Sequence, residues 1–291
     1  MPATEYTQVE PRGFGRQPFG DPSDRDKETR TKGFGDPKTK YTGIQTNPTT
    51  YTEGEECQYL KDFVDPVASW AMNDNKDNAT VLDLTAAYNG VATADTFNLH
   101  VSGRGGGALD MQGKYYVEVP HSDDFTFVVS EVDIPFSISA WIDFKSLGTE
   151  YYIAAKTGAD LSWLFYINSS GYLVFQLYGK TGEGTRAIVS TSPLGTGVYH
   201  VVGTWDGSGN FSGLSLYCNG SKIAGSDIGT YTYTHMRVTS DPVNLGAIIL
   251  DGFSPIYCQS YLDSIKIFRH ELSAAQIAWL AAGYAIPGDD Q

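Results

Sequence analysis

The side chains best equipped for chemistry in this 291-residue chain are five histidines, 34 acidic groups and a large aromatic set that includes 19 tyrosines. His100, His121, His200, His235 and His270 stand apart from any serine or cysteine in a nucleophile context, and no G-x-S-x-G turn occurs, so nucleophilic acyl transfer has no visible seat. Cys57, Cys218 and Cys258 are too few for a disulfide framework and lack zinc spacing. Cys218 and Cys258 fall in strand-like runs, LSLYCNG and PIYCQSY, which allows a pairing across a sheet or, as buried thiols usually prefer, two free cysteines. The glycine-rich run GRGGGAL from Gly103 to Leu109 is followed by no Lys-Ser/Thr and opens no helix. That excludes a phosphate-binding loop and predicts a turn with close backbone packing.

Aromatic rings near loops offer a different chemistry: they stack on the apolar faces of sugars while amides and carboxylates bind hydroxyls. Tyr151, Tyr152, Trp163, Tyr178, Tyr231 and Tyr233 are placed for this. In Tyr231-Thr232-Tyr233-Thr234-His235 the tyrosines alternate with polar residues, which predicts rings exposed on one face. Tyr231, Tyr233 and Trp163 are therefore the candidate glycan-binding residues.

The elements that must carry these side chains are strands. Short runs with period-two alternation recur at Ala68 to Met72, Tyr115 to Val119, Phe136 to Phe144, Tyr151 to Ala155, Leu161 to Ile167, Tyr172 to Tyr178, Arg186 to Ser190, Val198 to Trp205 and Leu214 to Cys218. Turn chemistry separates them, including Asn219-Gly220, a type I′ hairpin signal. The stretch Tyr261 to Leu280 adds one more alternating strand and then a helix, with Ser273 as N-cap, Gln276 completing a capping box, Leu272 and Ile277 as a hydrophobic staple, and Gly283 as the stop. Many strands and one terminal helix predict an all-β sandwich.

Charge divides the chain. Residues 1–40 hold 8 of the 20 basic and 7 of the 34 acidic groups, a net of +1, leaving −15 for the remainder. A body this acidic repels phosphate backbones, which excludes nucleic acid as a partner, and no apolar run approaches membrane-spanning length. The first residues contain no apolar core of a secretory signal, so the chain is expected to be made in the cytoplasm. Within residues 1–60 the tetrapeptide FGDP occurs at Phe19 and again at Phe34, 15 residues apart, with Gly13-Phe14-Gly15 upstream and a wholly polar run between the copies. Such a segment cannot bury enough surface to fold alone, and its glycine-flanked phenylalanines, Phe14, Phe19 and Phe34, suit anchors that dock on another subunit.

From residue 65 to 284 the order of motifs is similar to that of the laminin G-like jelly rolls of the concanavalin A-like lectin/glucanase superfamily. The matching pieces are Ala68-Ser69-Trp70 with Val81-Leu82-Asp83 and Asn89-Gly90; Gly106-Gly107-Ala108-Leu109 before Tyr116 to Pro120; Phe136 to Trp141; Tyr199 to Gly207; Leu216 to Gly220; and Leu262 to Phe268 with Leu272 to Ile277. The resemblance implies a concanavalin A-like jelly-roll sandwich over residues 61–291, with one short C-terminal helix, preceded by an extended anchoring arm over residues 1–60. It implies packing of His200 beside an aromatic ring. It also implies a structural calcium ion held by Asp83, Asn89 and Asp263, although the loop lacks the family's Asp-x-Ser-Gly-Asn form; the alternative is that these carboxylates cap turns and bond backbone amides.

Glucanases of this fold carry two glutamates flanking an aspartate on one strand, whereas Glu118, Glu131, Glu150, Glu183 and Glu271 are scattered here. A non-catalytic protein is expected. The combined reading is a decoration protein of a phage virion, its arm bound to a capsid or other virion protein and its jelly roll displayed outward. The alternative is a lectin-like adhesion module for a cell-surface glycan, and self-association into a homo-oligomer is compatible with both.

Overall fold

A computed structural model describes residues 66–283, apart from Gly105 and Tyr231. The chain runs through β1 (Ala68–Trp70), β2 (Thr80–Val81), β3 (Gly90–Ala92), the one-turn helix α1 (Thr96–Leu99), β4 (His100–Val101), β5 (Ala108–Asp110) and β6 (Val117–Val119). A small hairpin of β7 (Val128–Val129) and β8 (Val132–Asp133) precedes the long strands β9 (Phe136–Phe144), β10 (Tyr151–Thr157), β11 (Leu161–Ile167), β12 (Leu173–Tyr178), β13 (Thr185–Ser190) and β14 (Gly197–Trp205). Then come β15 (Leu214–Cys218), β16 (Ser221–Ile223), β17 (Gly225–Gly229), β18 (Val243–Leu245), β19 (Ala247–Ile248), β20 (Ile256–Tyr257), β21 (Tyr261–Phe268) and the helix α2 (Ala274–Ala281).

Two antiparallel sheets result. The first has the order β16-β15-β14-β9-β21-β5-β4, with β1 also pairing β21, and the second the order β17-β13-β12-β11-β10-β18-β6-β3-β2. Their inner faces share one core, as the alternation predicts. Phe136, Ile138, Ala140, Ile142 and Phe144 of β9 and Val201 and Trp205 of β14 meet Trp163, Phe165, Ile167, Leu173, Phe175 and Leu177 of β11 and β12. Phe136 stacks on Phe127 at 4.0 Å and meets Phe175 edge-on at 5.4 Å. This is the all-β jelly-roll sandwich anticipated from the sequence, with the four-residue α1 as an addition to the expected terminal helix. Among the described residues no helix is long and apolar enough to cross a membrane.

The terminal stretch folds as its residue types require. Ser273 accepts from the Gln276 N–H while the Gln276 side chain accepts from the Ser273 N–H, closing the capping box. Leu272 and Ile277 are both buried. Asn219 and Gly220 both adopt positive φ, +48° and +82°, as the type I′ hairpin between β15 and β16 demands. Cys218 and Cys258 are free thiols, and burial raises the pKa of each.

One departure from simple alternation shapes the first sheet. Leu262, Ile265 and Ile267 all enter the core, yet Leu262 and Ile265 are three residues apart, an odd step that a flat strand would split between opposite faces. The register against β9 therefore shifts between Asp263 and Lys266, and Ser264 takes φ +51°. This bulge resets the phase.

The two sheets approach closely at Gly203 of β14. A Cβ there would lie 2.8 Å from the Phe175 ring and 3.2 Å from Phe165. Gly203→Ala is therefore expected to lower the unfolding free energy by about 1–3 kcal/mol, measured by chemical denaturation. An unchanged midpoint would mean that the sheets are free to move apart here.

Candidate functional site

Residues on the outer face of the first sheet converge on a hollow of about 220 Å³. Antiparallel register sets them side by side: Trp141 of β9 lies opposite Asp263 of β21 and His200 of β14, while Asp143 lies opposite Tyr261 and Val198. The segment Ser102 to Arg104, between β4 and β5, forms one wall. That segment is compact because Gly103 touches the backbone of Gly107, where a Cβ would come within 2.1 Å of the carbonyl oxygen. The glycine run thus makes the close backbone packing expected of it.

Each charged group in the hollow is set by a neighbour. The bulge directs Asp263 away from the core, where one carboxylate oxygen accepts the Arg104 backbone N–H at 2.7 Å and the other the Ser264 hydroxyl at 2.6 Å. The Arg104 guanidinium lies 4.0 Å from the Trp141 ring centroid. Lys145 pairs with Asp143 and places its ammonium 3.7 Å from the centre of the Tyr261 ring. Both are cation–π contacts.

Beside Trp141 lies His200, 1% exposed, with ring centroids 5.2 Å apart. Its Nε2 shares a hydrogen bond of 2.9 Å with Ser139 Oγ, and its backbone N–H donates to Asn219 Oδ1. Burial, and secondarily the Arg104 guanidinium, hold the imidazole pKa down to about 4.

The expected calcium ligands are placed otherwise. Asp83 Oδ1 accepts N–H groups of Ser69 and Thr85, and Oδ2 accepts those of Ala87 and Tyr88 as well as the Thr85 hydroxyl. A carboxylate offers about four lone-pair sites, so these donors leave none for a cation. Asn89 Oδ1 accepts the Asp83 N–H at 2.9 Å. Among the described residues no three His, Cys, Asp or Glu side chains gather as a metal-holding group. Asp83 and Asn89 thus serve to fasten the turn and loop, the alternative that the sequence also offered.

Two of the expected glycan-binding rings are in the interior, which corrects the sequence reading. Trp163 is fully buried, its indole N–H donating to the Phe125 carbonyl at 3.3 Å. Tyr233 is 8% exposed because Asp133 draws its hydroxyl inward at 2.7 Å, with the Arg186 guanidinium 4.9 Å from its ring. Neither offers a face to a sugar. Tyr231, Phe14, Phe19 and Phe34 lie outside the described residues. Tyr151 is in the core, and Tyr152 stacks on Tyr166 at 4.9 Å in a small cluster with Leu164, Ile248 and the partly buried Tyr178 on the outer face of the second sheet.

Sequence reasoning therefore missed Arg104, Trp141, Asp143 and Tyr261 as a group. The signal was present only as outward positions on two strands more than a hundred residues apart, and no local pattern pairs β9 with β21.

His200 gives the site a pH signature. An unfolded histidine titrates near 6.5 and the native one near 4, so on acidification the unfolded state takes up its proton first. The stability is fully present above pH 6.5 and is lost as pH falls through that window towards 4. The thermal midpoint of the wild-type chain is expected to fall more steeply between pH 6.5 and 4 than that of His200→Gln; parallel curves would remove His200 as the source.

Comparison with known proteins agrees with this architecture. No curated protein sequence matches the chain. Among solved structures it is similar to the binding domain of Paraclostridial Mosquitocidal Protein 1, with 18% identity and a TM-score of 0.56 over 77% of this chain and 53% of that one. It is also similar to the binding domain of botulinum neurotoxin serotype C1, with 17% identity and a TM-score of 0.54 over 77% and 52%. The sialidase of Trypanosoma rangeli in complex with 2,3-difluorosialic acid gives 14% identity and a TM-score of 0.51 over 77% and 34%. The chain thus spans about half the length of the two binding domains and a third of the sialidase, and at these identities the likeness is one of fold. Residues 110–278, more than half of the sequence, match the laminin G family described as the concanavalin A-like lectin/glucanases superfamily, and the chain belongs to that family.

Proposed function

We propose that the sandwich is a non-catalytic module that binds carbohydrate in the hollow between Arg104, Trp141, Asp143, Tyr261 and Asp263. The observation that carries this reading is the convergence of two aromatic rings with fixed carboxylates and the Arg104 guanidinium in one open depression of a lectin-type sandwich. With Arg104 and Lys145 over their faces, the rings supply apolar contact to a sugar at their uncovered edges, and the carboxylates accept from its hydroxyls. Membership of a lectin-containing superfamily supports the same reading.

Hydrolysis needs a carboxyl pair in which one member protonates the leaving oxygen. Asp143 and Asp263 stand diagonally across β9 and β21, about 7–8 Å apart by strand geometry. Both already accept from donors of the protein, Lys145 for one and Arg104 N–H with the Ser264 hydroxyl for the other. We therefore assign them to holding the site and a ligand rather than to proton transfer.

The repeated FGDP of residues 1–60 supports a second part of the proposal: this segment attaches the module to a virion lattice, with Phe14, Phe19 and Phe34 as anchors and a capsid or other virion protein as the partner.

A glycan array probed with the full chain is expected to give saccharide ligands, with Trp141→Ala weakening binding about tenfold at an unchanged thermal midpoint. Silence across the array, or an indifferent Trp141→Ala, would remove the hollow as the site. Incubation of bound saccharides with the chain is expected to release no reducing ends; release that disappears in the Asp143→Asn, Asp263→Asn double variant would make it a hydrolase. Replacing Phe14, Phe19 and Phe34 by alanine is expected to abolish co-sedimentation with the virus particle, and retained co-sedimentation would sink the anchoring role.

A further inference from the structure

The charges of the hollow are not equivalent. Asp143 is paired with Lys145, and Asp263 is engaged by an amide and a hydroxyl. Arg104 is exposed, its guanidinium carbon lies 4.0 Å over the Trp141 ring, and among the described residues its guanidinium has neither a carboxylate partner nor a hydrogen bond to any acceptor. Stacking occupies the face of a guanidinium and leaves its N–H edge available, which is the geometry that receives a planar anion through two parallel hydrogen bonds.

We propose that the sugar taken up by the hollow carries a carboxylate, and that the edge of the Arg104 guanidinium receives it while Trp141 holds the guanidinium plane. The ligand is an otherwise neutral saccharide with a single acidic residue rather than a densely sulfated chain, because a protein of net charge −14 repels a polyanion over its whole surface, whereas one carboxylate meets Arg104 locally. The proposal rests on the hollow being a carbohydrate site.

Calorimetric titration of the full chain with sialyllactose against lactose, and with a glucuronate-terminated oligosaccharide against its glucose-terminated counterpart, tests it. At least one acidic member is expected to bind about tenfold or more tightly than its neutral partner, the scale of one charge-assisted hydrogen-bonded contact. Arg104→Ala is expected to erase that preference and Arg104→Lys to retain part of it. Equal binding of acidic and neutral members, or a preference untouched by Arg104→Ala, overturns the carboxylate assignment and leaves the hollow a carbohydrate site. Heparin binding more tightly than either acidic probe overturns the single-carboxylate assignment. Binding of no probe, with Trp141→Ala indistinguishable from wild type, overturns both readings.

Discussion

The outer face of the first sheet follows from the three-residue step between Leu262 and Ile265. Both must be buried, and a strand with period two cannot bury them without an extra residue. Inserting it at Asp263 and Ser264 breaks the ladder to β9 at one point, and there Asp263 meets the backbone N–H of Arg104. The wall of the hollow and its one guanidinium are placed by that bond. A packing requirement on the inner face thus sets the placement of side chains on the outer one.

A second regularity concerns where the cations go. With 20 basic groups against 34 acidic ones, salt bridges would be easy to form, yet several cations rest on rings. Arg104 covers Trp141, Lys145 covers Tyr261, and Arg186 lies between Phe211 and Tyr233 at 4.2 and 4.9 Å. A guanidinium is weakly hydrated and flat, so it can shield an aromatic face from water while keeping its own edge wet. For Trp141 and Tyr261 on the outer face of the sheet, this covers large rings without demanding more apolar sequence.

The fold was legible because its signals are local. The alternation in Phe136 to Phe144, Leu161 to Ile167 and Leu214 to Cys218 matched the strands residue for residue, and Asn219-Gly220 and the Ser273–Gln276 box marked their turn and helix start. What could not be read was set by partners distant in sequence. Tyr233 looked exposed in its alternating polar run, but Asp133, a hundred residues earlier, accepts its hydroxyl and the Met236 N–H, and the ring goes inward. Trp163 was placed near a loop and proved to be core. The loop at Asp83 retained the carboxylate that the resemblance pointed to, while its oxygens turned to backbone amides instead. Arg104 carried no signal at all, since its place depends on a strand pairing across more than 150 residues.

The position of β21 has a consequence for how the molecule comes into being. It is the last of the described strands in chain order, yet it lies in the interior of the first sheet, between β9 and β5, and also carries β1. Until residues 261–268 emerge, β9 and β5 each expose an unpaired edge, and Trp70 has no ladder partner at Ile265. Closure of the first sheet therefore waits on contacts of very high sequence separation, the slowest kind to form. Until then the exposed strand edges are the part of the sheet most open to pairing with another chain.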